Sequence, residues 1–404
     1  MSHFVVVGAG QAGSSLVAKL RSAGFDGKIT LIGAETVPPY QRPPLSKAYL
    51  LGEMEEERLY LRPESYYAEH GIDLKLSTRA VGIDPKRRIL TLEAGEEPIA
   101  YDALALTTGS HPRMLPAAIG GDLDGVMTMR DLRDADGMAP ELVAGRKVLI
   151  VGGGYIGLEA AAVCAKKGLD VTLVEAADRI LQRVAAPETS AFFRDLHAAH
   201  GVKILEKTGL ERLLGEEHVT GARLITGEEI ETDFVVVGVG IEPATILAAS
   251  AGLAVENGIE TDSHCRTSDP HIWAAGDCAS CLFEGRRIRL ESVGNAIDMA
   301  EVAALNMMGQ PVAYVPKPWF WSDQYDCKLQ IAGLNAGYDA IHVRDDGAGA
   351  RSHWYYREGR LIAVDAMNDS RAYMVGKRLI EGGKSPAPDA VADPATDLKA
   401  LLKA

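Results

Sequence analysis

Short apolar runs that end in glycine turns are the dominant pattern along this chain. Residues 3–7 are apolar and lead into a Gly-x-Gly-x-x-Gly turn at 8–13, and a helical pattern follows at 14–23. A second apolar run, 28–32, closes on Glu35. This order of strand, glycine turn, helix, strand and acidic residue predicts a parallel βαβ unit.

The same series recurs in the middle of the chain, where it closes on Glu175. Its strand, glycine turn, helix and second strand are predicted at 147–151, 152–157, 158–167 and 170–174. An internal repeat of this kind fixes an architecture more firmly than any single element does. We therefore predict an α/β fold with two Rossmann-like dinucleotide-binding domains.

From Trp319 onward, strand-like stretches alternate with turn residues. These stretches are 329–334, 340–343, 352–356 and 361–367. A helix is predicted at 373–381, and a short terminal helix at 397–403. The segment 385–394 is rich in Pro, Ala and Asp and is expected to be a loose tail. The pattern predicts a C-terminal α+β domain.

Two further turns, at 107–109 and 238–240, mark where the chain is expected to cross between the first two domains. We therefore predict three domains, the first of which is discontinuous. In chain order they are 1–109 with 241–318, then 110–240, then 319–404.

The three glycines of each repeated turn have separate tasks. The first allows the tight turn, the second lets the backbone approach a pyrophosphate, and the third lets the helix pack close to the strand. They are Gly8, Gly10 and Gly13 in the first turn, and Gly152, Gly154 and Gly157 in the second. An isolated motif of this kind is as readily explained by a structural turn. Here the confirming strand, helix and acidic residue are present twice.

The two acidic residues lie where a residue that bonds an adenosine ribose is expected, about 20 positions beyond the turn. Glu35 is 22 residues beyond Gly13, and Glu175 is 18 residues beyond Gly157. A carboxylate at 175 would also repel a 2′-phosphate, which favours NADH over NADPH. Arg179 and Arg183 follow it closely and are either surface charges or groups that bind the pyrophosphate of either cofactor.

The segment 272–277 contains a third buried strand that runs into a glycine turn, and Asp277, its last residue, lies just after the strand. This segment is similar to the late FAD-binding motif of flavoproteins that hold two dinucleotides, which implies that Asp277 bonds the ribityl chain. A helix N-cap is the alternative. Two nicotinamides would do no useful chemistry together, whereas a flavin and a nicotinamide would. The first domain is therefore expected to bind FAD non-covalently and the second to bind NADH.

Taken together, these motifs resemble the glutathione-reductase-type flavoproteins. Within them the chain is most similar to the ferredoxin reductases of the putidaredoxin-reductase kind, including those that serve ring-hydroxylating dioxygenases. The resemblance covers almost the whole chain. It rests on the segments 8–13, 39–47 (PYQRPPLSK), 152–159, 276–277, 291–293 and 319–324 (WFWSDQ).

The resemblance assigns the catalytic roles to Lys47, beside the flavin, and Glu159, near the nicotinamide. An ion pair between them is expected, and two separate surface charges are the alternative. Arg42 and Pro43 would line the FAD, and Trp321 would lie near the flavin edge or pack in the core. The remaining residues expected to bind the two cofactors are Ala12, Ala80, Val81, Thr108, Gly109, Arg130, Tyr155, Ile156, Arg183, Gly240, Gly276, Ser292 and Val293.

The five cysteines bear on the choice of chemistry. Disulphide reductases of this superfamily carry redox cysteines near the flavin, but this chain has none before Cys164 and has Ser46 at the expected place. Cys278 and Cys281 form a CxxC, which is a redox pair, half a zinc site or two buried thiols. No metal site is predicted. The chain has no cysteine cluster for an iron–sulphur centre. An iron–sulphur protein that accepts its electrons would therefore be a separate chain.

Charge and hydropathy limit the partners. A formal net charge of −14 disfavours nucleic-acid binding. No apolar run is long enough for a transmembrane helix and no signal peptide is visible, so no membrane partner is expected and a reducing cytoplasm fits best. The resemblance implies transfer of electrons from NADH through FAD to a [2Fe–2S] ferredoxin, which feeds a cytochrome P450 or a dioxygenase. The protein is expected to be a monomer or a weak homodimer.

Two other functions remain open at this point. One is an NADH oxidase, diaphorase or quinone reductase that uses a small-molecule acceptor. A respiratory quinone reductase would need a membrane-anchoring helix, and 397–403 is short and polar for that. The other is a flavoprotein with a role in redox-dependent signalling, which would be expected to carry targeting segments or basic runs.

Overall fold

The computed structural model describes residues 1–93 and 95–403, and the chain divides into two compact units. Unit 1 comprises Met1–Gln41, Glu56–His111 and Ile241–Pro318. Unit 2 comprises Arg42–Glu55, Pro112–Gly240 and Trp319–Ala404. The predicted second and C-terminal domains thus fall mostly within one unit, and the finer division into three domains remains a prediction.

Unit 1 is built on a parallel five-stranded sheet. In order across the sheet, its strands are Ile272–Ala274, Ala103–Leu106, His3–Val7, Lys28–Ile32 and Ile72–Lys75. The inner strands are buried almost throughout, which explains their continuous apolar sequence. Val7 pairs with both Ile32 and Leu106, so three strands end at one edge, where the glycine turn begins. Helix Gln11–Ser22 packs against helix Val293–Met307.

Smaller elements complete this region. Two three-stranded sheets are formed by Ala80–Asp84, Ile89–Leu92 and Ile99–Ala100, and by Ile259–Glu260, Ala279–Phe283 and Arg286–Ile288. The remaining elements are the helices Ser65–Glu69 and Ile246–Ser250, the 3₁₀ turn Glu56–Arg58, and the short strands Ser110–Pro112 and Ile241–Pro243.

Unit 2 repeats the parallel arrangement. Its five strands, in order across the sheet, are Lys203–Leu205, Asp170–Val174, Lys147–Val151, Phe234–Val237 and Val126–Met127. Its helices are Leu132–Met138, Tyr155–Lys166 and Pro187–Ala199, and its short turns are Leu45–Tyr49, Ala117–Ile119 and Ala139–Glu141. An antiparallel sheet is formed by Leu210–Gly215, Val219–Leu224 and Glu229–Glu231.

The C-terminal part of unit 2 is an antiparallel sheet with helices. Its strands, in order across the sheet, are Trp319–Gln324, Cys327–Gly333, Arg360–Met367, Arg351–Arg357 and Ala340–Asp345. Helices Ser370–Glu381 and Pro388–Ala392 and the 3₁₀ turn Ala400–Leu402 follow. The predicted fold class, two Rossmann-like sheets and an α+β C-terminal part, is confirmed.

Both helices after the glycine turns begin three residues earlier than predicted, at Gln11 and Tyr155. The apolar periodicity that marks a helix becomes visible only after the third glycine, which itself lies in the first helical turn. The short terminal helix predicted at 397–403 is only a 3₁₀ turn, Ala400–Leu402.

The prediction of a loose tail at 385–394 is wrong. Helix Pro388–Ala392 lies inside this segment, and Val391 is buried. The Arg344 guanidinium donates hydrogen bonds to the carbonyl groups of three residues in this segment and one just beyond it, at distances of 2.5–3.4 Å. These residues are Val391, Asp393, Pro394 and Thr396. Local composition did not reveal this order, because the group that imposes it lies about 50 residues earlier in the chain.

Across residues 1–93 and 95–403, we find no helix with both the length and the apolar character needed to span a bilayer.

We expect Arg344→Ala to loosen the tail without unfolding the sheet. A hydrogen bond from a charged donor contributes about 1.5–3 kcal/mol, and this guanidinium makes several of them. Hydrogen–deuterium exchange should rise in the peptides that cover 388–398. Arg371→Ala, which removes an exposed arginine from the same part of unit 2, is the matched control. Unchanged exchange in the Arg344→Ala tail would show that Arg344 does not order it.

Candidate functional site

The first glycine turn, in unit 1, has the geometry of a pyrophosphate cradle. Gly8 has φ +115°, and a Cβ there would meet the Thr107 carbonyl oxygen at 2.1 Å. A Cβ at Gly13 would lie 2.0 Å from the Gly8 carbonyl oxygen, whereas one at Gly10 would have nothing within 4 Å. No side chain caps the helix that begins at Gln11. Its free amide groups therefore adjoin open space, and a pyrophosphate fits this arrangement.

The second turn, in unit 2, repeats this geometry position by position. Gly152 has φ +106°, and its Cβ would lie 2.5 Å from the Gly238 carbonyl oxygen. A Cβ at Gly157 would lie 2.0 Å from the Gly152 carbonyl oxygen, while Gly154 again faces open space. The helix that begins at Tyr155 also has no side-chain cap. The repeat seen in the sequence is thus a repeat of two turns with the geometry of an anion cradle.

Glu175 is held rigidly beside the second turn. Its carboxylate accepts hydrogen bonds from the backbone amides of Gly153 and Ala177, both at 2.7 Å. A carboxylate offers about four acceptor sites, so these two bonds leave capacity for a ribose. Glu35, near the first turn, accepts a hydrogen bond from the Tyr40 hydroxyl at 2.5 Å.

The two arginines after Glu175 have different surroundings. Arg179 bonds the Ser190 hydroxyl at 2.5 Å and the Ala185 carbonyl at 2.8 Å, so it braces the loop that follows. Arg183 is exposed, and its Nη1 lies 3.9 Å from the Cβ position of Gly240. Arg183 and Gly240 are therefore neighbours within unit 2, and their assignment to the nicotinamide cofactor remains a prediction.

Asp277 lies at the predicted strand end in unit 1. It accepts a hydrogen bond from the Ser110 hydroxyl at 3.0 Å. Gly276 has φ +81°, and its Cβ position is 3.1 Å from Ala12 Cβ on helix Gln11–Ser22. The strand Ala279–Phe283 follows Asp277, which excludes the N-cap alternative. Ser292, by contrast, is an N-cap, because its side chain accepts from the Asn295 amide at the helix that begins at Val293.

The other predicted cofactor residues are divided between the units. In unit 1, Thr108 donates to the Ala244 carbonyl at 2.8 Å, and Gly109 has φ +69°. Ala80 and Val81 open a strand on which Val81 is 51% exposed. In unit 2, Arg42 donates to the Arg130 carbonyl at 2.9 Å, and the Pro43 carbonyl accepts from Lys47 at 3.2 Å. Ile156 is exposed, Tyr155 is partly buried, and Trp321 stacks on Trp319 with 5.5 Å between ring centroids.

Lys47 and Glu159 form a buried ion pair in unit 2. Lys47 Nζ lies 2.6 Å from Glu159 Oε2, and the Glu159 side chain is only 2% exposed. The backbone of Lys47, with φ −140° and ψ −113°, interrupts the helical turn Leu45–Tyr49. Two separate surface charges, the alternative interpretation, are therefore excluded.

Two serines complete the coordination of this carboxylate, and sequence reasoning missed both as ligands. Ser46 Oγ donates to Glu159 Oε2 at 2.7 Å, and Ser322 Oγ donates to Oε1 at 2.7 Å. Ser46 was noticed only as the residue that replaces a thiol. Ser322 and Gln324 are buried and alternate with partly buried neighbours on their strand, and the period of two along a strand is the one available signal that Ser322 points inward.

The cysteines pack as thiols. All five are free and buried. Cys278 Sγ donates to the carbonyl groups of Leu106 and Ala275 at 3.4 Å, and burial raises the pKa of both Cys278 and Cys281. A raised pKa disfavours the reactive thiolate, which favours the buried-thiol interpretation of the CxxC. Within the described residues, no group of three or more His, Cys, Asp and Glu side chains could hold a metal ion.

His197 lies fully buried in unit 2 and hydrogen-bonds to Gln324, with 2.8 Å between Nε2 and Oε1. Burial, with a smaller effect of the nearby His200 charge, lowers the pKa of His197 from 6.5 to about 4. The unfolded chain therefore binds the proton first as the pH falls below 6.5. The contribution of His197 to stability is present above pH 6.5 and is lost progressively towards pH 4.

We expect wild-type protein to lose about 2 kcal/mol more stability than His197→Gln between pH 7.5 and pH 5. The glutamine keeps a donor for Gln324 but does not titrate. Urea unfolding of both proteins at the two pH values measures the difference, and all other titrating groups cancel in it. Equal losses in the two proteins would mean that His197 is already protonated in the folded state.

Gly154→Ala and Gly157→Ala test the second cradle as a matched pair. The Gly154 methyl meets only open space, so we expect a native fold with NADH affinity reduced by about tenfold or more. The Gly157 methyl collides with backbone, so that variant should lose about 2–3 kcal/mol of stability. Thermal unfolding and a fluorescence titration with NADH measure both effects. If Gly154→Ala bound NADH with wild-type affinity, the assignment of the pyrophosphate to this turn would be wrong.

Comparison with known proteins agrees with this geometry. Residues 2–300 match the pyridine nucleotide-disulphide oxidoreductase family, and residues 319–402 match the reductase C-terminal domain. The chain is 43% identical over 412 residues to the 5,5'-dehydrodivanillate O-demethylase ferredoxin reductase subunit of a Sphingobium species, with 100% of both chains covered. It is 44% identical to a ferredoxin–NAD(P)+ reductase of a Sphingomonas species, with 98% of this chain and 97% of the relative covered.

A solved structure gives the same result. The reductase in the covalent putidaredoxin reductase–putidaredoxin complex is 38% identical and superposes with a TM-score of 0.96, covering 100% of this chain and 98% of that one. Similarity of this extent includes the C-terminal part as well as both glycine turns. The chain therefore belongs to the pyridine nucleotide-disulphide oxidoreductase family and, within it, to the ferredoxin reductases of the putidaredoxin-reductase type.

Proposed function

We propose that this protein is an FAD-dependent reductase that takes electrons from NADH and passes them to a [2Fe–2S] ferredoxin. That ferredoxin would supply a cytochrome P450 or a ring-hydroxylating dioxygenase. The observation that carries the proposal is the pairing of Lys47 with buried Glu159 next to Ser46. A hydroxyl stands where thiol-dependent relatives have a cysteine, so electrons must leave without a thiol relay.

The relatives support the partner class. One is a ferredoxin reductase subunit of an O-demethylase, and another is a ferredoxin–NAD(P)+ reductase. The structural relative was solved in a covalent complex with putidaredoxin. All three are covered almost end to end, so the comparison extends over the entire reductase and not over a cofactor domain alone.

The residues of the chain would hold and orient the two cofactors, and a bound FAD would supply the chemistry that converts a two-electron hydride donor into a source of single electrons. The first glycine turn and Asp277 in unit 1 fit the pyrophosphate and the ribityl chain of FAD. The second glycine turn and Glu175 in unit 2 fit the pyrophosphate and the adenosine ribose of NADH. Lys47 supplies positive charge and Glu159 holds it in place.

NADH is proposed over NADPH because of the way Glu175 is anchored. Two backbone amides fix its carboxylate beside the turn, so the carboxylate cannot swing away from a 2′-phosphate without breaking both bonds. Arg179, the nearest candidate for a phosphate ligand in sequence, is already bonded to Ser190 and Ala185. The site therefore presents negative charge where NADPH carries its extra phosphate.

We also propose a cytoplasmic location. The five free, buried thiols are typical of a protein kept in a reducing compartment.

Stopped-flow reduction of the purified flavoprotein, first by NADH and then with oxidised [2Fe–2S] ferredoxins, tests the proposal. We expect rapid bleaching of the flavin by NADH, much slower bleaching by an equal concentration of NADPH, and rapid reduction of at least one ferredoxin. Ferricyanide serves as the control acceptor, because it reports flavin reduction independently of ferredoxin docking. Fast reduction of quinone or oxygen with every ferredoxin inert would replace this function with that of an oxidase or diaphorase.

A further inference from the structure

A line of hydrogen-bonded side chains extends from the Glu159 carboxylate into unit 2. Ser322 Oγ donates to Glu159 Oε1 at 2.7 Å, and Gln324 Nε2 donates to Ser322 Oγ at 3.1 Å. Gln324 Oε1 lies 2.8 Å from His197 Nε2, and the Tyr325 hydroxyl lies 3.1 Å from His197 Nδ1. We call these five residues the Glu159 chain.

Chemistry fixes the direction of every bond in the Glu159 chain. The Ser322 hydroxyl donates its single hydrogen to the carboxylate, so its oxygen accepts a hydrogen bond from the Gln324 amide nitrogen. The Gln324 oxygen can only accept, so His197 carries its proton on Nε2 and accepts from the Tyr325 hydroxyl on Nδ1. All the donors therefore point towards Glu159. Hydrogen bonds aligned in this way polarise and strengthen one another.

Burial strengthens the effect of these aligned hydrogen bonds. Ser322, Gln324 and His197 are all 0% exposed, so water does not compete for their polar groups. An unsatisfied polar group in such a position is costly, and each member of the chain depends on the next one for its partner. The position of the outermost member is thereby transmitted inwards to the carboxylate.

The chain is not suited to moving protons. A proton that travelled along it would have to be accepted by the Gln324 amide nitrogen, which has no available lone pair. The chain therefore transmits position and polarity.

The two ends of the Glu159 chain differ in exposure. Glu159 is buried, whereas Tyr325 is partly exposed and stacks on the exposed His200 ring, with 3.6 Å between the ring centroids.

The carboxylate needs this support on one side in particular. Its Oε2 accepts from both Lys47 and Ser46, whereas in the described part of the chain its Oε1 accepts from Ser322 alone. Loss of the Ser322 contact would leave the carboxylate held through Oε2 only, so it could turn about its bond to Cγ more easily and the Lys47 ammonium would move with it.

We propose that Ser322, Gln324 and His197 are positioning residues for electron transfer, which hold Glu159 and, through it, the Lys47 ammonium. This inference rests on the proposed function. It adds to the ion pair a supporting set of neutral side chains that reaches the surface of unit 2 near Tyr325.

Three variants test the Glu159 chain in the flavin-loaded protein. Gln324→Met keeps the shape of the side chain but removes both of its hydrogen bonds, and His197→Phe removes the donor to Gln324. His197→Gln restores that donor. We expect the first two to lower the limiting rate of flavin reduction by about tenfold, with NADH affinity changed less than twofold, and His197→Gln to stay near wild type.

The flavin midpoint potential is the second readout, measured by dithionite titration. It should fall in Gln324→Met and His197→Phe, because a displaced ammonium stabilises the reduced, anionic flavin less, and it should recover in His197→Gln. This titration uses no NADH. If NADH did not reduce the wild-type protein, the proposed function would be overturned. The midpoint potential would still test the positioning role of the Glu159 chain.

Ser352→Ala is the matched control. It removes a buried hydrogen bond with Trp354 in the same sheet but has no connection to Glu159. It should lower stability and leave the rate and the potential unchanged. Wild-type rate and potential in folded Gln324→Met and His197→Phe would overturn the proposal, as would equal effects in Ser352→Ala. If Gln324→Met fails to fold, comparing the rate and the potential of His197→Phe with those of His197→Gln tests the proposal equally well.

Discussion

A carboxylate that is almost completely removed from water sets the conditions for the centre of unit 2. Burying Glu159 is costly unless its charge is paired and its oxygens are hydrogen-bonded. Lys47 meets the first condition, and the two serines meet the second. These three partners come from two distant segments of the chain, the turn Leu45–Tyr49 and the strand Trp319–Gln324. Satisfying one side chain thus ties both segments to the helix that carries Glu159.

The same helix links that carboxylate to the nucleotide cradle. Glu159 lies two residues beyond Gly157, whose close contact with the Gly152 carbonyl draws the helix against its strand. The amide groups proposed to bind the pyrophosphate and the side chain that pairs with Lys47 are therefore on one helix. A shift of this helix would therefore move both the proposed nucleotide site and the carboxylate that pairs with Lys47.

The sequence was sufficient for the architecture because few folds place a glycine turn, its flanking strands and an acidic residue at this spacing twice in one chain. The ion pair between Lys47 and Glu159 was also predicted, although both residues were singled out by the family resemblance and not by a local pattern. The partners of Glu159 were out of reach. Ser322 is one small polar residue on a short strand, and nothing local shows that it faces a carboxylate 163 positions away. The ordered tail was missed for the same reason, since Arg344 acts on it from a distant strand.

The serine at position 46 affects how resistant the protein is to oxidation. A cysteine at this position would carry a sulphur atom, which peroxide can oxidise stepwise. The serine hydroxyl keeps the hydrogen bond to Glu159 and has no such chemistry. A reductase proposed to supply an oxygenase through a ferredoxin thus carries, at this position, a group that such oxidants leave unharmed.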